Sequence, residues 1–159
     1  MGSDRANTIS GDGDDQRFVA GMGNDIVAAG GGADRVRSGR GDDIIRGNSG
    51  SDHLNGGRGA DFIRGDRAHD RIHGGRQDDQ LQGNRGADRL IGDSGNDRLR
   101  GGRHDDTLLG GRGSDRLFGG PNNDVLYGGR RHDRLSGGRG SDVFALSLIH
   151  ISEPTRPLY

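Results

Sequence analysis

Sixteen nine-residue units, read without insertion from about Arg5 to Ala145, constrain this chain more than any other feature. Let each unit be numbered so that in GGRGADFIR, residues 56–64, Gly56 is position 1, Asp61 is position 6 and Ile63 is position 8. Position 8 is then apolar in all sixteen units, from Ile9 and Phe18 through Leu135 and Phe144. Position 6 is Asp in fourteen of them, and only Asn7 and Gln16, in the first two units, depart. From Asp12 to Gly138, position 2 is always Gly, Asn or Asp, the residues that best tolerate positive φ.

A fixed period of this kind is read before any local propensity, because each unit is one supersecondary step that must stack to bury anything. Three residues such as Phe62-Ile63-Arg64 make a short strand whose middle side chain faces one way. The six turn residues then reverse the path, so two units, eighteen residues, close one coil. The expected fold is all-β: a right-handed parallel β-roll (a β-solenoid) of about eight coils, with two short-stranded parallel sheets stacked at about 4.8 Å. Leu, Ile, Val and Phe supply only 30 of the 159 residues, too few for a conventional core. The net charge of −1 argues against charge-driven disorder. A seam one side chain wide does not offset the ordering entropy of so long a chain. The turns therefore need a further source of stability, and the turns carry the Asp.

Glycine-rich turns let backbone carbonyls converge, and a carboxylate at position 6 adds charge beside them. Hard oxygen ligands without thiolate or imidazole suit Ca²⁺ rather than a transition metal, and the chain has no Cys. Stacking places Asp25, Asp43 and Asp61 in one column eighteen residues apart, whose self-repulsion a cation between coils would remove. The pattern GGxGxDxUx, matched throughout by GGRGADFIR at 56–64 and GGRGSDRLF at 110–118, resembles the calcium-binding nonapeptide of the RTX (repeats-in-toxin, haemolysin-type) family. The resemblance covers about 140 residues and implies a roll that is disordered without Ca²⁺ and folds outside the cell. It also implies secretion from a bacterium by one-step, type I export. Carried across position by position, the ligand role falls on Asp25, Asp34, Asp43, Asp52, Asp61, Asp70, Asp79, Asp88, Asp97, Asp106, Asp115, Asp124, Asp133 and Asp142. Position 4, usually Gly, is Asp14, Ala68, Gln77, His104, Asn122 and Arg131 in six units. Tighter sites are therefore expected between Asp25 and Asp61, and weaker ones around Ala68–Gln77 and Asn122–Arg131.

All 23 basic residues are Arg and 23 of the 24 acidic ones are Asp, so the chain is nearly neutral where RTX sequences are acidic. The arginines recur at positions 3, 7 and 9 and read first as a solvated counter-charge to the Asp; a surface for an acidic polysaccharide is the alternative. No aromatic interleaving supports base stacking, so nucleic acid is not expected. Sorted by sheet, Ile91, Leu109 and Tyr127 fall in line beside Thr107, Val125 and Val143. They predict an outward apolar patch for a neighbouring domain or a second copy. The pairs Asp42–Asp43, Asp78–Asp79 and Asp105–Asp106 are positions 5 and 6 of the turn rather than catalytic dyads. No HExxH, GxSxG or phosphate loop occurs, so no enzyme is expected in this segment, and no stretch reaches membrane-span length.

The organisation expected is an N-terminal edge at 1–10, the roll at 11–145 and a tail at 146–159. The tail, LSLIHISEPTRPLY, abandons the period. Leu146 to Arg156 back-translates to the end of a widely used transposase-based sequencing adapter, and the tail is read as non-native; a short capping strand is the other reading. The function expected is a calcium-binding structural module of a secreted protein. The alternatives are an acidic-polysaccharide-binding module of an extracellular enzyme and the non-catalytic part of a truncated toxin or hydrolase.

Overall fold

The computed structural model describes residues 5–145. Sixteen strands follow one another, from β1 (Thr8–Ser10) to β16 (Val143–Ala145), and no helix interrupts them. The odd-numbered strands form one eight-stranded sheet and the even-numbered strands the other, each in coil order. Every pairing is parallel with an offset of eighteen residues, as in Ile45↔Ile63↔Leu81 across β5 (Ile44–Ser49), β7 (Phe62–Arg67) and β9 (Gln80–Arg85). The all-β parallel roll of about eight coils read from the period is therefore the fold. None of its elements is a helix long and apolar enough to cross a membrane.

The strands are longer than the three residues expected. Nearly all interior strands run six residues, positions 7 to 9 and then 1 to 3 of the next unit. Positions 2 and 3 stay paired to the neighbouring coil, as Asp66↔Asn84 and Arg67↔Arg85 show, so positions 4 to 6 alone reverse the chain. Two left-handed residues per unit make this possible, one at position 2 and one at position 4. At Gly86 (φ 131°) an added Cβ would run into the carbonyl of Ala68 in the coil beneath.

Position 8 builds the seam. Val27, Val36, Ile45, Leu54, Ile63 and the six leucines from Leu81 to Leu126, with Ile72, are at most 2% exposed. Ala20 and Ala29, at position 1, join them. Burial of position 8 is incomplete in the outermost described coils. Ile9, Phe18 and Leu135 only pack against the seam, and Phe144 is 49% exposed.

Side chains at positions 7 and 9 face out. Ile91, Leu109 and Tyr127 stand in register on one row, and Thr107, Val125 and Val143 on the next. Four of the six are half-buried by their neighbours, while Tyr127 and Val143 are exposed.

Candidate metal centre

Each position-6 Asp enters a turn from the strand before it, and its side chain folds under the coil rather than into solvent. From Asp25 to Asp124 the twelve aspartates are at most 2% exposed; Asp133 and Asp142, in the last coil, are half-buried. One carboxylate oxygen of each has a fixed partner. Oδ1 of Asp43 accepts the backbone N–H of Asp25 at 2.8 Å, and Oδ1 of Asp61 accepts that of Asp43 at 2.9 Å. The same bond links every coil to the next up to Asp124 N–H on Asp142 Oδ1 at 3.0 Å. The two departures from Asp fit this pattern. Asn7 and Gln16 donate their backbone N–H to Asp25 and Asp34 just as the aspartates donate theirs to the next coil.

The other oxygen, Oδ2, is buried without a hydrogen-bond partner in all twelve aspartates from Asp25 to Asp124. An orphaned carboxylate oxygen in an apolar setting is costly, and here the cost recurs in every coil. The surrounding hollow exists because position 1 is glycine: a Cβ on Gly56, Gly74 or Gly101 would collide with Oδ2 of Asp61, Asp79 or Asp106. Period reading treated position 1 as turn filler and missed this role. The signal was the change to Ala20, Ala29 and Ser38 in three early units. Ala20 and Ala29 are themselves fully buried. Ser38 Oγ donates to the Gly56 carbonyl at 2.7 Å.

Burial sets the electrostatics. It pushes the carboxyls of Asp70, Asp79 and Asp106 up to about 8, and those of Asp61 and Asp97 to about 7. Asp52 and Asp88 rise to about 6, and Asp34, Asp43, Asp115 and Asp124 are raised for the same reason. The backbone N–H on Oδ1 opposes the rise in each case. Neighbouring carboxylates in the column add to it at most positions, as Asp88 and Asp52 do for Asp70.

Position 5 carries a second, exposed ladder that the sequence reading did not foresee. Asp42 Oδ1 accepts the N–H of Ala60 at 2.8 Å, Asp78 that of Asn96 at 2.7 Å, and Asn96 in turn that of Ser114 at 2.9 Å. These bonds run from the later coil to the earlier one, opposite to those of position 6. The adjacent Asp pairs are thus two ladders side by side, in keeping with their assignment to the turn. At position 4, Ala68, Gln77, His104, Asn122 and Arg131 all take the left-handed conformation of the glycines they replace, with φ of 75–89°.

Among the described residues no three His, Asp or Glu side chains gather in one cluster. A cation here would instead take the position-6 carboxylate together with turn carbonyls, the all-oxygen donor set that suits a hard divalent ion. Orphaned Oδ2, the glycine hollow and the raised carboxyls together fit such an ion.

No curated protein matches the chain. The RTX calcium-binding nonapeptide repeat matches residues 1–27, 19–54, 29–63, 46–81, 82–117 and 118–146, which leaves residues 147–159 outside. A calcium-binding repeat module of coils held by buried, unsatisfied aspartates, the chain belongs to the RTX calcium-binding nonapeptide repeat family.

Proposed function

We propose that the roll is the calcium-driven structural element of a secreted bacterial protein, folding outside the cell as Ca²⁺ fills its turns. The observation that carries this reading is the row of buried Oδ2 atoms without partners. In this reading the ligands are the position-6 aspartates from Asp25 to Asp142 with turn carbonyls, and Ca²⁺ supplies the positive charge that links successive coils. The expected ranking of sites weighed position 4; Ala20 and Ala29 weigh against tight binding at Asp25 and Asp34, where position 1 carries a methyl. Secretion is supported by the calcium demand, since millimolar Ca²⁺ is an extracellular condition.

Far-UV circular dichroism of the full chain during a Ca²⁺ titration, with Mg²⁺ as control, tests the reading. A coil-to-β transition at about 0.1–1 mM Ca²⁺ is expected. Gly83→Ala, which places a methyl against Asp88 Oδ2, is expected to raise the midpoint. A full β spectrum in chelator at neutral pH would sink the reading.

A second reading, binding of an acidic polysaccharide, is favoured by the in-register arginines. Arg98, Arg116 and Arg134 line one sheet, and Arg17, Arg35, Arg71 and Arg89 line the other with His53 among them. None of these arginines is ion-paired among the described residues. Their field is strong enough to help burial lower the His53 pKa.

A further inference from the structure

Position 1 is mostly glycine although its backbone does not require one. None of the fourteen residues there from Ala20 to Gly137 has a positive φ, so any L-residue fits the chain path. Ala20, Ala29 and Ser38 occupy it fully buried. Yet the next eleven units, from Gly47 to Gly137, all carry glycine. In every one of the eleven an added Cβ would collide with Oδ2 of the Asp five residues on, from Asp52 to Asp142. Glycine there keeps room open beside that oxygen, and three consecutive units do without it.

A second oxygen borders the same room. An added Cβ on Gly83 or Gly92 also meets the position-1 carbonyl of the next coil, at Gly101 or Gly110. Two acceptors thus face one space, and Oδ2 has no donor, a setting that a hard cation satisfies. Oδ2 of Asp25, Asp34 and Asp43 is buried without a partner like the others; those units lack the room rather than the acceptor. Ser38 Oγ puts a proton donor into it and bonds the Gly56 carbonyl at 2.7 Å, which takes one oxygen away from any ion. Ala20 and Ala29 carry a methyl at the same repeat position, and both belong to the packed apolar core.

The charge in the column is lower here as well. One coil before Asp25 stands neutral Asn7, whose N–H and Nδ2 both bond Asp25 Oδ1, at 2.7 and 3.0 Å. One coil before Asp34 stands neutral Gln16. Each of these two aspartates therefore has a carboxylate neighbour on one side of its column, Asp43 or Asp52, and less repulsion for a cation to remove.

We propose that position 1 decides which turns take calcium. The units of Ala20, Ala29 and Ser38 hold no ion, Asp25, Asp34 and Asp43 serve there only as acceptors of the backbone ladder, and the calcium row begins at Asp52. The inference rests on the calcium reading above and narrows its ligands from fourteen aspartates to eleven.

The test counts bound Ca²⁺ per chain at saturation, by equilibrium dialysis of the full chain, with dichroism to show that each variant reaches the parent's β spectrum. The triple variant Ala20→Gly/Ala29→Gly/Ser38→Gly is expected to bind more ions than the parent, about three more where each opened turn takes one. Gly74→Ala, which sets a methyl against Asp79 Oδ2, is expected to bind about one fewer. An unchanged count in the triple variant would overturn the proposal. If that variant falls short of the parent's spectrum, Gly74→Ala decides, and a count equal to the parent's overturns it. The two readings fail separately. A parent that binds no calcium sinks the calcium reading itself; a parent that binds calcium, with both variants matching its count, sinks only the role of position 1.

Discussion

A single Cβ decides much of what happens in each turn. Where position 1 is glycine, the space under the coil is left to a carboxylate oxygen; Ala20 and Ala29 bury a methyl at that position as well. At position 4 the same atom meets backbone strain instead. Ala68 and Arg131 hold φ of 75° and 85°, a conformation that costs an L-residue about 1–2 kcal/mol. Replacing either by glycine is expected to stabilise the calcium-loaded roll by roughly 0.5–1 kcal/mol once glycine's extra unfolded-state freedom is deducted. Asn122→Gly should change little, because Asn tolerates this region. Urea midpoints at saturating calcium would show it, and a lower midpoint for both Ala68→Gly and Arg131→Gly would refute the strain argument. The period made the aspartates and the position-8 plugs legible, because each repeats with one residue type and one spacing. The role of position 1 was hidden by its uniformity, since a glycine that makes room for a neighbour's oxygen reads in sequence as a turn glycine.

At the scale of the strand, the sequence indicated which side chains face out but not how long the strands are. Positions 7 to 9 announce themselves by alternation; positions 1 to 3 look like turn, yet pair because nothing in them prevents the ladder from continuing. The position-5 ladder was illegible for a different reason. Its acceptors are Asp, Asn and even His69, whose Nδ1 accepts the N–H of Ala87 at 2.8 Å, so no one residue type marks it. The outward apolar rows were legible because two columns of like residues lie eighteen apart. Leu109 is half-buried and Tyr127 is 48% exposed, side by side in register. If these rows meet a neighbouring domain or a second copy, Leu109→Ser with Tyr127→Ser should lower the apparent mass in sedimentation or raise solubility. Unchanged mass and solubility would remove the patch from consideration as a contact.

For the whole molecule, the stacked carboxyls couple stability to pH. Each carboxyl with a raised pKa holds its proton in the folded state at a pH where the unfolded chain has released it. Its contribution is therefore complete below the unfolded value of about 4. That contribution is lost as the pH climbs through about 6 at Asp52 and Asp88 to about 8 at Asp70, Asp79 and Asp106. In chelator, β content is expected to be greatest in mild acid and to fall on the way to pH 8, where calcium should restore it. Dichroism across pH with and without chelator measures this, and a metal-free roll that gains structure as pH rises would contradict it. The position-6 ladder has one more consequence, a mechanical one. A tug on the C-terminal end lifts Asp142 away and strands a backbone N–H, that of Asp124, which water satisfies at once. A tug on the N-terminal end removes the N–H of Asn7 and leaves the Asp25 carboxylate bare, a charge that a dissolved cation can take over. The roll is therefore a rod with a direction: peeling one end bares backbone donors of this ladder, and peeling the other bares its carboxylates.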